Sequence, residues 1–542
     1  MDRKTPELRP AINEYFKDPT PSANLFDNIS SHATTDAKRE EPAVCRIFQQ
    51  IEKKTDIFDI INPPPDSNSH NNNPGFEVRE APFLNTGNDS VDPMSIFIHE
   101  YELSFVPAED ERRRFAWIPS SKTKMTLEKA SQMNHALPRD MLTMPGVENV
   151  NFANKTYEGL VSYLGEAEAA PFKTKTIEEV TQDERGLKML IEDSNYSEAL
   201  NLTTRLLAMY GQGPGQTGYP SKHTKHSLQL WLTRFSLLVK ICACKIAVKE
   251  AMAWDNLDRP DLYMQWYKEL YGNKYGTLVP FSLRLILAEL PQYATTSTNI
   301  YKKLFEVLSG VRKIILNLEN NLAEDGRCVD LTTQDRNTSK LLWYSREARV
   351  IHSIINCALN QKDYKLAIQL LKDLIENPRL KYTIDHSRSL LSAMGRICLQ
   401  VGDLKGHSYF LKSSRLKPQL LGTLGENKAD YRELIDAALL AIAQNNYKEA
   451  YKHFENAYII DSNKVMALNN MATCLFYEGQ LNNAISLLED AIQRFPELAL
   501  NESLLSNIHC FYQFQNSASN KQRLLKYHII SKYKNSVTDI TN

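Results

Sequence analysis

From about Thr181 onward, apolar residues recur at the three- and four-residue spacing of amphipathic helices, and proline falls between such segments rather than inside them. Alternation over β-branched runs closed by two-residue hairpin turns, the mark of half-buried strands, is nearly absent. The pattern predicts an all-α second half. Residues 1 to about 110 read differently: they carry Pro63-Pro64-Pro65 and the polar tract Ser67-Asn68-Ser69-His70-Asn71-Asn72-Asn73-Pro74-Gly75, with few periodic segments. Such a stretch cannot bury enough apolar surface to offset the entropy of ordering it. The expected organisation is a largely disordered N-terminal region over 1–110 and a transitional segment with short helices over 111–180. Divergent helical hairpins follow over 181–345, then a repeat array with C-terminal capping helices over 346–530 and a disordered tail over 531–542. The apolar knot Ile57-Phe58-Asp59-Ile60-Ile61 reads either as a chance cluster or as a short motif that folds on a partner.

The strongest pattern is a repeat. Setting residues 431–464 above 465–498 aligns two consecutive 34-residue units without a gap. Ala450 then stands over Ala484, Phe454 over Leu488, Ala457 over Ala491 and Ser462 over Pro496; in the first helix Leu434 meets Leu468, Ala437 meets Met471 and Ala438 meets Ala472. This period resembles the tetratricopeptide repeat, which implies a solenoid of helical hairpins. Small residues at Ala438, Ala450 and Ala457 let antiparallel helices approach nearly backbone to backbone. Asn445-Asn446-Tyr447 and Glu478-Gly479-Gln480-Leu481 supply the turns inside each unit, and Phe495-Pro496 ends the last helix.

Degenerate copies are expected upstream, near Ala348 with its turn at Asp363-Tyr364-Lys365-Leu366-Ala367, and near Arg388 with Gly395 and Gly402-Asp403-Leu404. In the second of these His407 stands where a small residue is expected. Asn195-Tyr196-Ser197-Glu198-Ala199-Leu200 suggests an earlier copy. Because each hairpin leaves an apolar face that only a neighbour buries, caps are expected as a helix over 501–514 and a basic one around 521–534.

Composition narrows the function classes. Over 542 residues, 64 Lys+Arg balance 65 Asp+Glu for a net charge of -1, which lacks the basic footprint of a nucleic-acid binder. Fifteen of the 24 prolines fall in residues 1–150, the same division that the helical periodicity draws. The opening Met1-Asp2-Arg3-Lys4-Thr5-Pro6 is not followed by the apolar core of a secretory signal. The most apolar stretch, from Leu228 to Trp254, is interrupted by Arg234, Lys240, Lys245 and Lys249, so no membrane span is expected. Eight scattered cysteines read as reduced, mostly buried thiols, and the cytosol is the expected compartment.

Chemistry-bearing motifs are sparse. Gly211-Gln212-Gly213-Pro214-Gly215-Gln216-Thr217-Gly218 lacks the Lys-Ser/Thr pair of a phosphate loop and reads as a flexible interhelix loop. Cys242-Ala243-Cys244, near His223 and His226, lies in a helix-patterned stretch where positions i and i+2 face apart, a poor start for a tetrahedral metal site. The basic run Arg112-Arg113-Arg114 reads as a solvated face. No nucleophile elbow or zinc-protease motif occurs, so no enzyme activity, cofactor or metal is expected. The candidate partner-binding face is the concave side of the array, at Arg432, Ile435, Leu439, Met466, Asn469, Asn470 and Thr473. Of the five positions that would clamp a peptide carboxylate (Ile435, Leu439, Asn470, Leu500 and Leu504) only Asn470 has a suitable side chain, so an apolar groove for a helix or extended segment fits better than a chaperone-tail receptor.

Longer stretches carry a second resemblance. Leu142-Thr143-Met144-Pro145-Gly146, Asn256-Leu257-Asp258-Arg259-Pro260-Asp261-Leu262-Tyr263, Val279-Pro280-Phe281-Ser282-Leu283-Arg284 with Ala288-Glu289-Leu290, Leu322-Ala323-Glu324-Asp325-Gly326 and Asn501-Glu502-Ser503-Leu504-Leu505-Ser506-Asn507 resemble, in order and spacing, the transport protein particle (TRAPP) complex subunit 12 family, also described as tetratricopeptide repeat protein 15. The resemblance spans roughly 112–530. It implies a non-catalytic scaffold subunit of a tether and Rab guanine-nucleotide exchange assembly in ER-to-Golgi traffic and autophagy. Its partners would be other TRAPP subunits, and its place cytoplasmic with peripheral association at the ER-Golgi intermediate compartment or Golgi. Read physically, the same stretches punctuate helices: Asp258 as a cap with Pro260 in the first turn and Asp261 facing the dipole, and Pro280 opening a helix that Pro291 closes. The rival reading is a free-standing repeat adaptor for a chaperone, motor or other protein.

Overall fold

The structure is a computed structural model that describes residues 112–132, 138–153, 155–170, 173–193, 195–293, 300–380, 384–420, 430–460, 465–495, 502–515 and 521. The regions expected to be disordered, the Ile57 to Ile61 motif, the basic segment after Lys521, Leu500 and Pro496 lie outside these residues. Among the described residues the regular structure is helical, and the sole β-type contact is an isolated antiparallel bridge between Tyr263 and Thr277. The fold is all-α.

The described residues fall into two compact units that divide at 381/382. The boundary expected at 345/346 falls within a single 28-residue helix, Thr333–Asn360. The first unit contains α1 (Ser121–Gln132), α2 (Lys155–Leu164), α3 (Glu184–Glu192), α4 (Tyr196–Met209), α5 (Lys225–Lys240), α6 (Cys244–Ala251), α7 (Phe281–Glu289), α8 (Lys302–Glu319), α9 (Thr333–Asn360) and α10 (Tyr364–Glu376), with shorter turns between them. Side-chain caps start several of these: Asp183 accepts from Gly186 N, Asn195 from Glu198 N, Thr224 from Ser227 N, Thr332 from Asp335 N and Asp363 from Leu366 N. The core runs through α5, where every residue from Ser227 to Leu238 except Gln229 is buried. Trp231 there stacks edge-on against Trp254 at 5.5 Å.

The second unit is a run of helices packed in chain order: α11 (Ile384–Val401), α12 (Leu404–Leu420), α13 (Tyr431–Ala443), α14 (Tyr447–Ile460), α15 (Val465–Tyr477), α16 (Leu481–Arg494) and α17 (Glu502–Gln513). Each packs on the next, and α11 also touches α13 as α15 touches α17, which is the nearest-neighbour logic of a helical repeat. The starts of α13 and α15 are 34 residues apart. Ala438, Ala450, Phe454, Ala457, Ala472, Ala484, Leu488 and Ala491 are all fully buried. At the degenerate position the size rule is inverted rather than broken: His407 is buried against Gly395, where an added Cβ would lie 3.1 Å from its Nδ1. The glycine on α11 makes room for the imidazole on α12.

Three local readings are corrected. Cys242-Ala243-Cys244 does not lie along one helix: Cys242, at φ 58°, and Ala243 form the turn between α5 and α6, and Cys244 is the first residue of α6. The glycine loop is not a free connection: Gly218 N donates to Met144 O at 3.1 Å and Val147 N to Gln212 O at 3.1 Å. A Cβ on Gly146 would meet Thr217 N at 2.3 Å, so only glycine permits this approach. The basic run is bound rather than solvated. Arg112 pairs with Glu324, Arg113 pairs with Asp335 at 2.8 Å, and the Arg114 carbonyl accepts from Arg346 at 3.2 Å.

Candidate partner-binding interface

The concave positions proposed from sequence lie mostly inside the molecule. Ile435, Leu439, Met466, Asn469 and Asn470 are buried, and Arg432 and Thr473 are half-buried. Burial arises because the helices that would line a groove contact one another through polar side chains. Between α11 and α13, Arg396 Nε donates to Asp436 Oδ1 at 2.8 Å and Ser392 Oγ to Asp436 Oδ2 at 2.6 Å, while Arg388 pairs with Asp430 at 3.2 Å and Glu433 at 3.3 Å. Arg432 stands beside these charges, and burial lowers its pKa from the ordinary arginine value. Between α15 and α17, Asn507 Nδ2 donates to Asn469 Oδ1 at 2.9 Å. The expected binding face is thus sealed by the chain's own helices. Asn470, the one residue suited to a carboxylate clamp, is only 2% exposed, and no lysine or arginine from the other clamp positions accompanies it.

What remains open at this end of the unit is aromatic. Tyr447 and Tyr477 stack with ring centres 4.9 Å apart, Phe476 lies 5.7 Å from Tyr477, and Phe511 and Phe514 follow at 4.6 and 5.5 Å from Phe476. Tyr477 and Phe514 are 61% and 63% exposed. The residues come from the start of α14, the end of α15 and the end of α17, so the edge exists only when three helices assemble. Sequence reasoning missed it because its members follow no single helical period. The available signal was the pair Phe476-Tyr477 at the last turn of the first helix in its repeat.

Beneath α17 lies a buried carboxylate. Glu489 on α16 accepts from Tyr512 Oη at 3.0 Å and Lys521 Nζ at 3.3 Å, and burial raises its pKa from the ordinary 4.5 to about 7. It fastens the terminal helix to the repeat.

In the first unit the motifs read as helix punctuation do tertiary work instead. Asp258 caps no helix of its own. Its carboxylate accepts from Ser120 N at 3.1 Å, Thr123 Oγ1 at 3.0 Å and Tyr263 Oη at 2.7 Å, holding α1 in place. Asp261, expected at a dipole, is buried and accepts from Thr143 N at 2.5 Å and Thr143 Oγ1 at 3.1 Å. Pro260 opens only a 3-10 turn, Pro260–Leu262. Pro280 does precede α7, and Pro291 lies in the 3-10 turn that follows it. His223, considered as a metal ligand, contacts Thr143 O at 2.9 Å and Gln212 Nε2 at 3.3 Å, while the Gln212 carbonyl accepts from Trp231 Nε1 at 2.7 Å. Among the described residues, no three His, Cys, Asp or Glu side chains converge as metal ligands. A shallow depression of about 390 Å³ along α8 is lined by Phe305, Leu308, Ser309, Arg312, Lys313 and Leu316.

No helix among the described residues is long and apolar enough to cross a membrane. Arg234, in the middle of the buried helix α5, shows how a charge is accommodated in the core of the first unit. Its guanidinium forms a bidentate pair with Glu250, both contacts at 2.7 Å, and donates to Thr203 Oγ1 at 3.1 Å and Thr204 Oγ1 at 2.9 Å. The charge is neutralised within the protein core.

No protein-family model matches the chain. Two solved structures align loosely: residues 1–338 of the assembly chaperone of RpL4 (Acl4), 11% identical, covering 62% of this chain and 96% of that one at a TM-score of 0.22. The other, yeast Tom70, is 14% identical over 82% of each chain at 0.26. Superpositions this loose carry no argument here. The sequence relatives are much nearer. Trafficking protein particle complex subunit 12 of Mus musculus and that of Homo sapiens are each 37% identical over 426 residues, 77% of this chain. The chain spans about half the length of these curated relatives, 52% of the mouse protein and 57% of the human one. By that extended identity, the chain belongs to the trafficking protein particle complex subunit 12 family.

Proposed function

We propose that the chain acts as a non-catalytic scaffold subunit of the TRAPP tethering and Rab guanine-nucleotide exchange complex, serving ER-to-Golgi vesicle transport and autophagy. It binds other subunits through its helical units, and the exchange chemistry belongs to those subunits. It reaches the ER-Golgi intermediate compartment or Golgi peripherally, through the complex. The observation that carries this reading is the 37% identity over 426 residues to two subunit 12 proteins.

The aromatic edge at Tyr477 and Phe514 is the part of the repeat unit suited to a subunit contact, since exposed aromatic side chains give large contact area at low entropic cost. Affinity purification of the tagged chain, followed by size-exclusion chromatography, tests the reading. Co-elution with TRAPP core subunits at high mass is expected, whereas elution alone would favour a free-standing adaptor and end the proposal. Tyr477→Glu tests the contact: the melting temperature should hold and co-elution should weaken. Undiminished co-elution moves the contact elsewhere.

A further inference from the structure

One side of α8 carries apolar side chains outward. Phe305 and Leu316 are 42% and 54% exposed, and with Leu308, Ser309, Arg312 and Lys313 they line the depression of about 390 Å³ described above. Positions 305, 309, 312 and 316 follow one side of a helix, so the strip runs continuously for about 16 Å along the axis. It is also basic. Glu347 holds Arg312 through Nε at 2.8 Å, yet the Arg312 side chain is 56% exposed, and Lys313 is exposed beside it. Of the two acids on α8, Glu319 is engaged by Arg379 and by Tyr344 Oη, both at 3.2 Å, and Glu306 does not line the depression. A concave strip of this kind receives the side chains of a peptide segment better than it receives a flat lipid surface.

The position of Arg112, the first described residue, indicates the occupant. It pairs with Glu324 in the turn after α8, and Trp117 packs on Gly310 within the same helix. Just upstream, between Pro93 and Pro107, the sequence alternates: Phe97, Tyr101, Leu103 and Phe105 are interleaved with Ile98, Glu100, Glu102 and Ser104. An extended chain of this pattern presents four apolar side chains on one side and two carboxylates on the other. Phe97 to Phe105 spans about 26 Å when extended, which matches the length of about 27 Å for α8. The seven-residue step from Phe105 to Arg112 reaches at most about 25 Å, so this tether keeps the segment at a high effective concentration beside the helix.

We propose that residues 97–105 of the chain itself lie extended along this strip of α8, with Phe97, Tyr101, Leu103 and Phe105 against Phe305, Leu308 and Leu316, and Glu100 and Glu102 within reach of the long Arg312 and Lys313 side chains. Burial of the apolar side chains drives the contact, and the opposite charges fix its place. The α8 strip is then covered by its own chain. This contact stands apart from the aromatic edge at Tyr477 and Phe514 and does not rest on the subunit reading.

Photo-crosslinking of the full-length chain tests this. Ser309→p-benzoylphenylalanine places the probe at an exposed position in the strip, and Phe305→p-benzoylphenylalanine repeats the readout with an aromatic in place of an aromatic. After irradiation, peptide mass spectrometry is expected to find the main product within residues 95–106, at the mass of a single chain. Lys313→Glu, at an exposed position, should lower that yield at least about twofold without shifting the melting temperature, and Glu100→Lys with Glu102→Lys should do the same. A main product elsewhere in the chain, a product at the mass of two chains, no product from either probe position, or a yield unmoved by both charge reversals overturns the proposal.

Discussion

At the scale of single residues, charge buried in the helical units is the main energetic commitment. Glu489 and the Arg234–Glu250 pair illustrate two solutions. Glu489 keeps its proton in about half of the molecules near pH 7, because water is gone and its partners, Tyr512 and Lys521, compensate incompletely. Its folded pKa lies above the ordinary value, so between about pH 4.5 and 7 the folded chain keeps a proton that the unfolded chain has lost. Stability therefore falls as pH rises through that window, by up to about 3 kcal/mol from this group. Glu489→Gln should flatten that dependence in thermal melts taken across the window, and an unchanged slope would assign it to another group. Arg234 and Glu250 instead remain a fully buried pair. Glu250→Ala leaves the guanidinium without its bidentate partner and should cost about 3–5 kcal/mol in denaturant melts, whereas an exposed pair such as Arg205–Glu178 is screened by solvent and adds little.

At the scale of elements, side-chain size decides how closely helices meet. Ala450 is fully buried at the contact of α14 with its neighbours, so Ala450→Trp overpacks that contact and should lower stability by about 1–3 kcal/mol or more. A thermal melt unchanged by this substitution would refute the packing role. The period that places Ala450 over Ala484 was legible in sequence because two adjacent hairpins repeat the same steric requirement at the same spacing. The buried Gly395–His407 contact was not, since pattern reading asks for a small residue at one position and here the complementary partner became small instead. The concave face was misjudged for a related reason. Periodicity tells that Ile435, Asn469 and Asn470 share a side of their helices, but not that α11 and α17 would supply Arg396, Ser392 and Asn507 to close that side.

At the scale of the whole molecule, the first unit depends on partners far apart in sequence. Residues 112–147 reach the unit through Arg112–Glu324, Arg113–Asp335, Asp258 and Asp261, and Trp117 lies 3.9 Å from the Arg284 guanidinium and against Gly310 of α8. A Cβ at Gly310 would come within 2.8 Å of the Trp117 ring, so α8 is notched to receive it. A chain starting at residue 148 should consequently lose cooperative melting that a chain starting at residue 112 keeps, as read by circular dichroism. Equal melts would show that the segment is ornamental to stability.

The sequence alone determined what depends on neighbours along the chain: helices from 3.6-residue periodicity, turns such as that at Asp363, the 34-residue repeat, and kinship with the TRAPP subunit 12 proteins. Tertiary structure decided what depends on residues tens to more than a hundred positions apart. It turned Asp258 and Asp261 from punctuation into clasps, covered the expected groove with α11 and α17, and assembled the aromatic edge from separate helices. The physical reason is the range of the forces at work. Backbone hydrogen bonding and steric preference act within a few residues, whereas burial, charge pairing and ring packing are fixed only once distant segments exclude water from one another.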